Sequence, residues 1–403
     1  MQNKAQHFDA LVVGAGLVGL AAAVAMHLEG YRVALVDQKN PAKIVTKSPD
    51  DWDVRIYAIS PKNKAWLQRL GVWQQLDATR IGQMQGMEIW ADASETPLNL
   101  LAEDIHAQGL GEIVEAGALA NVLLEKVEAL GIATFFAVTT ENLTVSPQKT
   151  ALTLKNTQDQ CITLSADLLL AADGSQSWVR EQCDFSVKRS AYAHHGLVAN
   201  FRAEKNHQHV ARQWFLKDEG DHLQVLAWLP LPENLISIVW SASPTFTEQL
   251  LQLDATALAQ KVAEAGHFFL GDFELVTPAA AFPLALQKVE PLFFQSVVLL
   301  GDAAHQVHPM AGQGVNLGFR DVEDLLEVIK QKNPYQKIND AQLLKKYARM
   351  RKVDVAKVTM LTDGLYQLFD HPSDLIKKVR NWGFEATKYR LLKIVLLKQA
   401  IKL

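Results

Sequence analysis

The segment Gly301-Asp302-Ala303-Ala304-His305, closely followed by His308-Pro309-Met310-Ala311-Gly312-Gln313-Gly314-Val315-Asn316-Leu317-Gly318, constrains the fold more than any other part of the chain. It comes directly after the apolar run Val297 to Leu300. The pattern predicts a buried strand ending in a carboxylate, then a glycine-rich turn, then the start of a helix. Such a corner suits a nucleotide. Asp302 can accept hydrogen bonds from a polyol, and Gly312 and Gly314 let a ligand approach bare backbone N–H groups where the helix dipole favours negative charge. One corner alone also fits an ordinary strand-to-helix loop, so the weight falls on whether other segments require the same ligand.

Two do. Ala10 to Val13 reads as a short strand, and Gly14-Ala15-Gly16-Leu17-Val18-Gly19 opens an Ala-rich helix. A second strand, Arg32 to Val36, ends in Asp37, 18 residues after Gly19. That is near the offset at which a carboxylate meets a ribose hydroxyl in a dinucleotide-binding βαβ unit. The other segment is Leu168 to Arg180, where an apolar strand runs into Asp173-Gly174 and Ser175 or Ser177 can cap a short helix carrying Arg180. By itself Asp-Gly marks an ordinary turn more often than a site.

Between these segments the chain changes character. Asn63 to Leu70 and Gly117 to Leu130 have helical patterns, and Ala151 to Leu154 with Cys161 to Leu164 form a hairpin pattern. Ile81 to Leu101 and Leu197 to Pro283 look β-rich, with alternation in Gln224 to Leu229 and Leu235 to Trp240. After residue 314 the pattern is mostly helical. Since ligand corners at the carboxyl ends of parallel strands must converge on one crevice, the nucleotide-binding domain has to be discontinuous.

With 403 residues, 49% of them apolar, the chain can bury a large core. No window has the apolar length to cross a bilayer, and Met1 to Asp9 lacks a signal pattern, so a cytoplasmic protein is expected. Cys161 and Cys183 are too few for a disulfide framework or zinc site and read as structural. The charge is uneven: residues 330 to 403 hold 17 Lys and Arg against 6 Asp and Glu, a net +11, while residues 1 to 329 carry −15. Nothing here points to nucleic acid. The asymmetry fits either a solvated helical face or a region meeting an anionic surface. Residues Ala386 to Leu403 mix Lys388, Arg390, Lys393, Lys398 and Lys402 with Tyr389, Leu392, Val395 and Leu396. Their apolar and cationic positions do not separate cleanly on a helical wheel.

Together, the glycine fingerprint, the DGSQSWVR segment and the GDAAH corner resemble the flavin-dependent aromatic hydroxylases of the p-hydroxybenzoate hydroxylase type. The run HPMAGQGVNLGFRD from His308 to Asp321, with DVRIYAIS from Asp53 to Ser60 and Leu70-Gly71-Val72-Trp73, is similar to the ubiquinone-ring hydroxylases (the UbiH, UbiF and UbiI proteins). The similarity covers nearly the whole chain, and its details look most like the UbiF members.

That resemblance implies an α/β fold: a discontinuous Rossmann-like FAD-binding domain (1–75, 102–186 and 284–330), an inserted β-rich substrate domain (76–101 and 187–283) and a helical C-terminal region (331–403). It implies FAD as cofactor and NAD(P)H as co-substrate. Only one glycine fingerprint is present, so the nicotinamide is expected to dock transiently at the flavin. The substrate implied is a polyprenylated benzoquinol or phenol, with the basic C-terminal region contacting the inner membrane face or a biosynthetic complex; assembly as a homo-oligomer stays open. FAD contacts are expected from Gly14, Gly16, Gly19, Asp37, Arg55, Asp173, Gly174, Arg180, Gly301, Asp302, Gly314, Val315 and Asn316. Pro309, Gly312, Gln313 and Gly314 are expected to shape the reacting face, with backbone donors from Gly312 to Asn316 stabilising the anionic reduced flavin.

Other residues carry less. His305 and His308 lack the further ligands a metal would need, and His305 is expected to close its turn by hydrogen bonding. His194-His195 read as strand or loop residues, one of which could face the substrate. Ala116 and Ala120 stand where relatives often carry Asn or Gln beside the flavin; Asn121 is a candidate substitute. Two rival readings remain: a hydroxylase of a soluble aromatic compound, and a non-catalytic FAD-binding subunit.

Overall fold

The structure, a computed structural model of the chain, describes residues 6–41, 43, 48, 51–90, 96–217, 222–307 and 313–370. Its first layer is an eight-stranded sheet. Five parallel strands run side by side in the order Val297–Leu299, Cys161–Ala171, Gln6–Val13, Val33–Val36 and Ala133–Phe135. The central strands are apolar without alternation because both faces are covered: Ala10 to Val13 and Leu168 to Ala171 are all buried. Helix α1 (Leu17–Leu28) lies close against this sheet, as its run of alanines Ala21 to Ala23 and Ala25 allows. The hairpin expected near Cys161 is present, with Thr150–Lys155 antiparallel to the start of Cys161–Ala171.

Helix α2 (Pro61–Arg69) starts where Ser60 accepts the N–H of Asn63 and Pro61 presets the first turn. Helix α3 (Ala116–Ala129) covers the sheet beside α1, burying Leu119, Leu123, Leu124 and Val127. A short helix α4 (Trp178–Gln182) is capped by Ser177, whose Oγ accepts the Arg180 N–H. Cys183, just beyond it, is buried, and burial pushes its thiol up to about 11, in keeping with a structural role. Cys161 opens its strand and is exposed.

The second layer is a nine-stranded sheet built on the long strands Val187–Ala203, Ala280–Val289, Leu235–Ala242, Leu223–Pro230 and Val210–Lys217. Its core holds Trp214, Trp228, Trp240 and Phe201. Helices α5 (Pro244–Leu251) and α6 (Ala255–Ala265), not marked within the segment expected to be β-rich, pack on that core through Leu250, Leu258 and Val262. Strand Ala280–Val289 runs unbroken through residue 284, where the sequence pattern places a domain boundary. Gly82–Met84, assigned by sequence to the β-rich insert, pairs instead with Gly111–Glu115 in a separate three-stranded sheet that also holds Ile56–Ile59.

Helix α7 (Gln313–Lys330) returns to the first sheet, burying Phe319, Val322, Leu325 and Leu326, and helix α8 (Ala341–Asp370) packs along it. The turn from Gly301 to His305 joins the two layers. Leu300 N–H bonds Ala171 of the first sheet, while His305 and Gln306 pair with Lys288 and Gln287 of the second.

Candidate flavin site

Four adjacent parallel strands carry the sequence-marked turns at their carboxyl ends: Gly301-Asp302, Asp173-Gly174, the Gly14–Gly19 loop and Asp37. Segments up to 287 residues apart thereby border one crevice, where ligands of open α/β sheets sit. The glycines divide into two groups. A Cβ on Gly14, whose φ is +103°, would lie 2.3 Å from Ala172 O, and one on Gly19 would lie 1.8 Å from Gly14 O. These two let strand, loop and helix close on one another. Around Gly16, Gly174 and Gly314, by contrast, nothing lies within 4 Å of the Cβ position. Their missing side chains open backbone to the crevice.

The acids differ as well. Asp37 pins the glycine loop, its Oδ2 accepting the Ala15 N–H at 2.6 Å and its Oδ1 the Lys39 N–H at 2.7 Å. Each oxygen keeps a lone pair for a ribose hydroxyl. Asp173 accepts the Val179 N–H at 3.0 Å, while its Oδ1 is buried without a partner. Asp302 is exposed at the carboxyl end of its strand yet has enough protein around it to be partly desolvated, and no hydrogen bond from the described residues reaches its carboxylate. Burial raises its pKa above the ordinary carboxylate value against the opposing influence of His305 and Arg55. The same burial effect raises Asp173. Arg55 is exposed and near enough to act on Asp302.

Three assigned residues turn into the protein instead. Arg180 is buried and donates through Nη1 to Ala303 O at 3.0 Å and through Nη2 to Ser175 O at 2.8 Å. Its side chain ties the Asp173 turn to the Asp302 turn. Asn316 is fully buried: Oδ1 accepts from Ser60 N at 2.9 Å and Asn63 Nδ2 at 2.8 Å, while Nδ2 donates to Ala58 O at 2.7 Å. Its side chain clamps α7 to the start of α2. Val315 packs into the first core. What this segment offers a ligand is backbone, since Gln313, Gly314 and Val315 form the first turn of α7, where N–H groups lack partners within the helix.

His308, Pro309 and Gly312 lie outside the described residues. Ala116 opens α3, where Asp53, unmarked by the sequence reading, accepts the Gly117 N–H at 2.8 Å; Ala120 and Asn121 follow in the same helix. His305 does close its turn, with Nε2 2.8 Å from the Asp321 carboxylate. His194 is buried on strand Val187–Ala203 with Nδ1 3.3 Å from Ser241 Oγ, and His195 beside it is half-buried. Gln287, also unmarked, donates to Asp302 O at 3.0 Å from the second sheet. Nothing in its sequence context sets it apart from other strand residues.

Three open glycine positions, an unpartnered carboxylate on the floor, an orphaned Asp173 oxygen and a helix N-terminus converge on one crevice. This donor and acceptor set fits a dinucleotide with a polyol chain, as FAD has.

Comparison with known proteins agrees. Residues 7–362 match the family described as FAD binding domain. The chain is 32% identical to 3-demethoxyubiquinol 3-hydroxylase of Escherichia coli, covering 98% of each protein. It is 29% identical to ubiquinone hydroxylase UbiL of Rhodospirillum rubrum, over 94% of this chain and 86% of that one. Against human ubiquinone biosynthesis monooxygenase COQ6 the identity is 26%, over 94% and 89%. Among solved structures, p-nitrophenol 4-monooxygenase PnpA from Pseudomonas putida shares the fold, with a TM-score of 0.76, 16% identity and 98% coverage of both chains. A flavin crevice built from matching turns, a family match over most of its length and a full-length relative above 30% identity lead to one assignment: the chain belongs to the FAD-binding-domain family of flavin-dependent aromatic-ring hydroxylases that includes the ubiquinone hydroxylases.

Proposed function

We propose that this protein hydroxylates the ring of a polyprenylated benzoquinol or phenol during ubiquinone biosynthesis. The observation that carries this reading is the end-to-end relation to an enzyme named for 3-demethoxyubiquinol hydroxylation. The balance is that of a monooxygenase: a ring C–H becomes C–OH, the second atom of O₂ leaves as water, and NAD(P)H supplies the two electrons.

FAD supplies the redox chemistry when bound, accepting hydride and activating oxygen. The chain's own groups bind and orient. The open backbone at Gly16 suits a pyrophosphate, Asp37 suits a ribose, and the unpartnered Asp302 carboxylate suits the ribityl hydroxyls. The first-turn N–H groups of α7 point positive charge at the site, favouring an anionic ring system by about 3 kcal/mol for one well-placed donor. Pro309, Gly312 and Gln313 are proposed to shape the reacting face. Tyr57, on strand Ile56–Ile59, adds a phenol beside Asp302 that burial keeps protonated.

The reading is tested by mass spectrometry of lipid quinones in cells lacking the gene. The expected result is loss of ubiquinone with accumulation of a demethoxy intermediate. A different under-hydroxylated intermediate would move the reaction to another ring position, and an unchanged profile would refute it in favour of a soluble aromatic substrate.

A further inference from the structure

The turn that presents Asp302 is gripped from behind by one carboxylate. Asp321, on α7 and fully buried, accepts the Gly301 N–H on Oδ2 at 2.8 Å and the His305 Nε2 on the same oxygen at 2.8 Å. Gly301 and His305 are the first and last residues of the turn, so a single side chain fixes both its ends. The other oxygen, Oδ1, accepts Arg351 Nε at 2.7 Å. Arg351 is fully buried on α8 and also donates through Nη1 to Asp324 at 2.6 Å and to Asp354 at 2.7 Å. Burial works against the Asp321 charge, but His305, Arg351 and the Gly301 N–H outweigh it and hold the carboxyl below its ordinary range.

A fully buried ion pair is a poor device for stability, because desolvation consumes most of its attraction and apolar side chains of similar volume serve as well. What it supplies here is a fixed position. Asp302 has no protein partner of its own among the described residues, so nothing local holds it where a ligand would meet it. The backbone of its turn is held by Asp321, by Arg180 at Ala303 O and by Gln287 at Asp302 O. Of these three side chains, Asp321 is the one that ties both ends.

We infer that Arg351, Asp321 and His305 form a positioning set for flavin, which holds the Asp302 carboxylate in place and couples α8 to cofactor retention. The inference rests on the reading of Asp302 as a ribityl ligand. It assigns a role to Arg351, which lies 30 residues beyond Asp321 and outside every glycine- or aspartate-marked segment.

The test titrates FAD into full-length apo-protein, following flavin fluorescence, at a temperature where circular dichroism shows each apo-variant fully folded. Asp321→Asn, Arg351→Met and His305→Ala should each raise the FAD dissociation constant about tenfold or more, and Arg351→Lys and His305→Gln should recover most of the loss. Should Asp321→Asn fail to fold, His305→Ala still decides, since it removes the Asp321 tie at one end of the turn while leaving the strand pairing of residue 305 and the Asp321–Arg351 pair in place. A His305→Ala protein that melts lower yet binds FAD within twofold of wild type would reduce the set to a structural contact and overturn the inference. Asp302→Ala is run alongside. Unchanged FAD affinity in that variant would overturn the ribityl assignment, and the inference with it, whatever the other variants show.

Discussion

An unpartnered carboxylate surrounded by protein is unfavourable to the fold that carries it. Asp302 sits in such a setting, Asp173 shares it at one of its two oxygens, and burial shifts each toward its neutral form. For a group whose folded pKa is raised, the folded state is favoured at low pH and that advantage is lost as pH rises through the folded pKa. Asp302→Asn, which mimics the neutral acid, is therefore expected to raise the melting temperature of the apo-protein at pH 7 while weakening FAD retention. The stability gain should fade as pH falls through the raised folded pKa and be gone below about 4, where the wild-type acid is protonated in folded and unfolded chains alike. Thermal melts of apo-protein at pH 4 and 7, with dialysis against FAD, check both halves; a variant less stable than wild type at pH 7 would contradict this account. At this scale the sequence showed which residues matter better than what they touch. Asp302, Asp173 and the glycines were marked by strand-then-turn patterns, whereas the inward turn of Arg180 and Asn316 depends on partners 123 and 256 residues away. No local pattern encodes such partners.

Among the elements, the loop between the first strand and α1 separates folding from binding. A methyl group on Gly19 would collide with the Gly14 carbonyl, while one on Gly16 meets open space. Gly19→Ala is expected to yield unstable or insoluble protein, and Gly16→Ala a folded protein with FAD affinity lowered at least tenfold. Comparing melting curves with flavin titrations separates the two, and equal behaviour of the pair would refute the division. The joint between α7 and α2 is a second case. Asn316→Ala would strand Ser60 N–H and Ala58 O in a buried site and leave the Asn63 amide only the backbone carbonyl of residue 316, at a cost of about 2–4 kcal/mol measurable by urea unfolding. Helices α5 and α6 escaped the sequence reading although their signals were there: Ser243 before Pro244, and Asp254, each cap a helix start. Strong strand alternation on either side outweighed those caps. The pairing of α8 with α7 had no such signal, because a buried arginine looks like any surface arginine until its carboxylate partner is known.

At the scale of the molecule, charge and topology matter most. Among the described residues no helix is long and apolar enough to cross a membrane. The net +11 of residues 330 to 403 suits an anionic surface, and its last part, 371–403, lies outside the described residues. If that surface is a bilayer, the full chain should co-sediment with phosphatidylglycerol vesicles, and the binding should fall with added salt. Reversing Lys388, Arg390 and Lys393 to Glu should remove most of it; undiminished binding would exclude this region as the contact. The discontinuous nucleotide domain was legible because three similar strand ends recur far apart in the chain. The extent of the second sheet was not, since strand Ala280–Val289 crosses the expected boundary.

The order of synthesis gives the Gly301–His305 turn one more consequence. A chain leaving the ribosome exposes its glycine loop before the crevice gains residue 302, and the full grip on that residue's turn waits for Arg351. Flavin uptake thus reports that the chain has been made and folded through Arg351, and a chain terminated before that residue would be left empty and open to proteolysis.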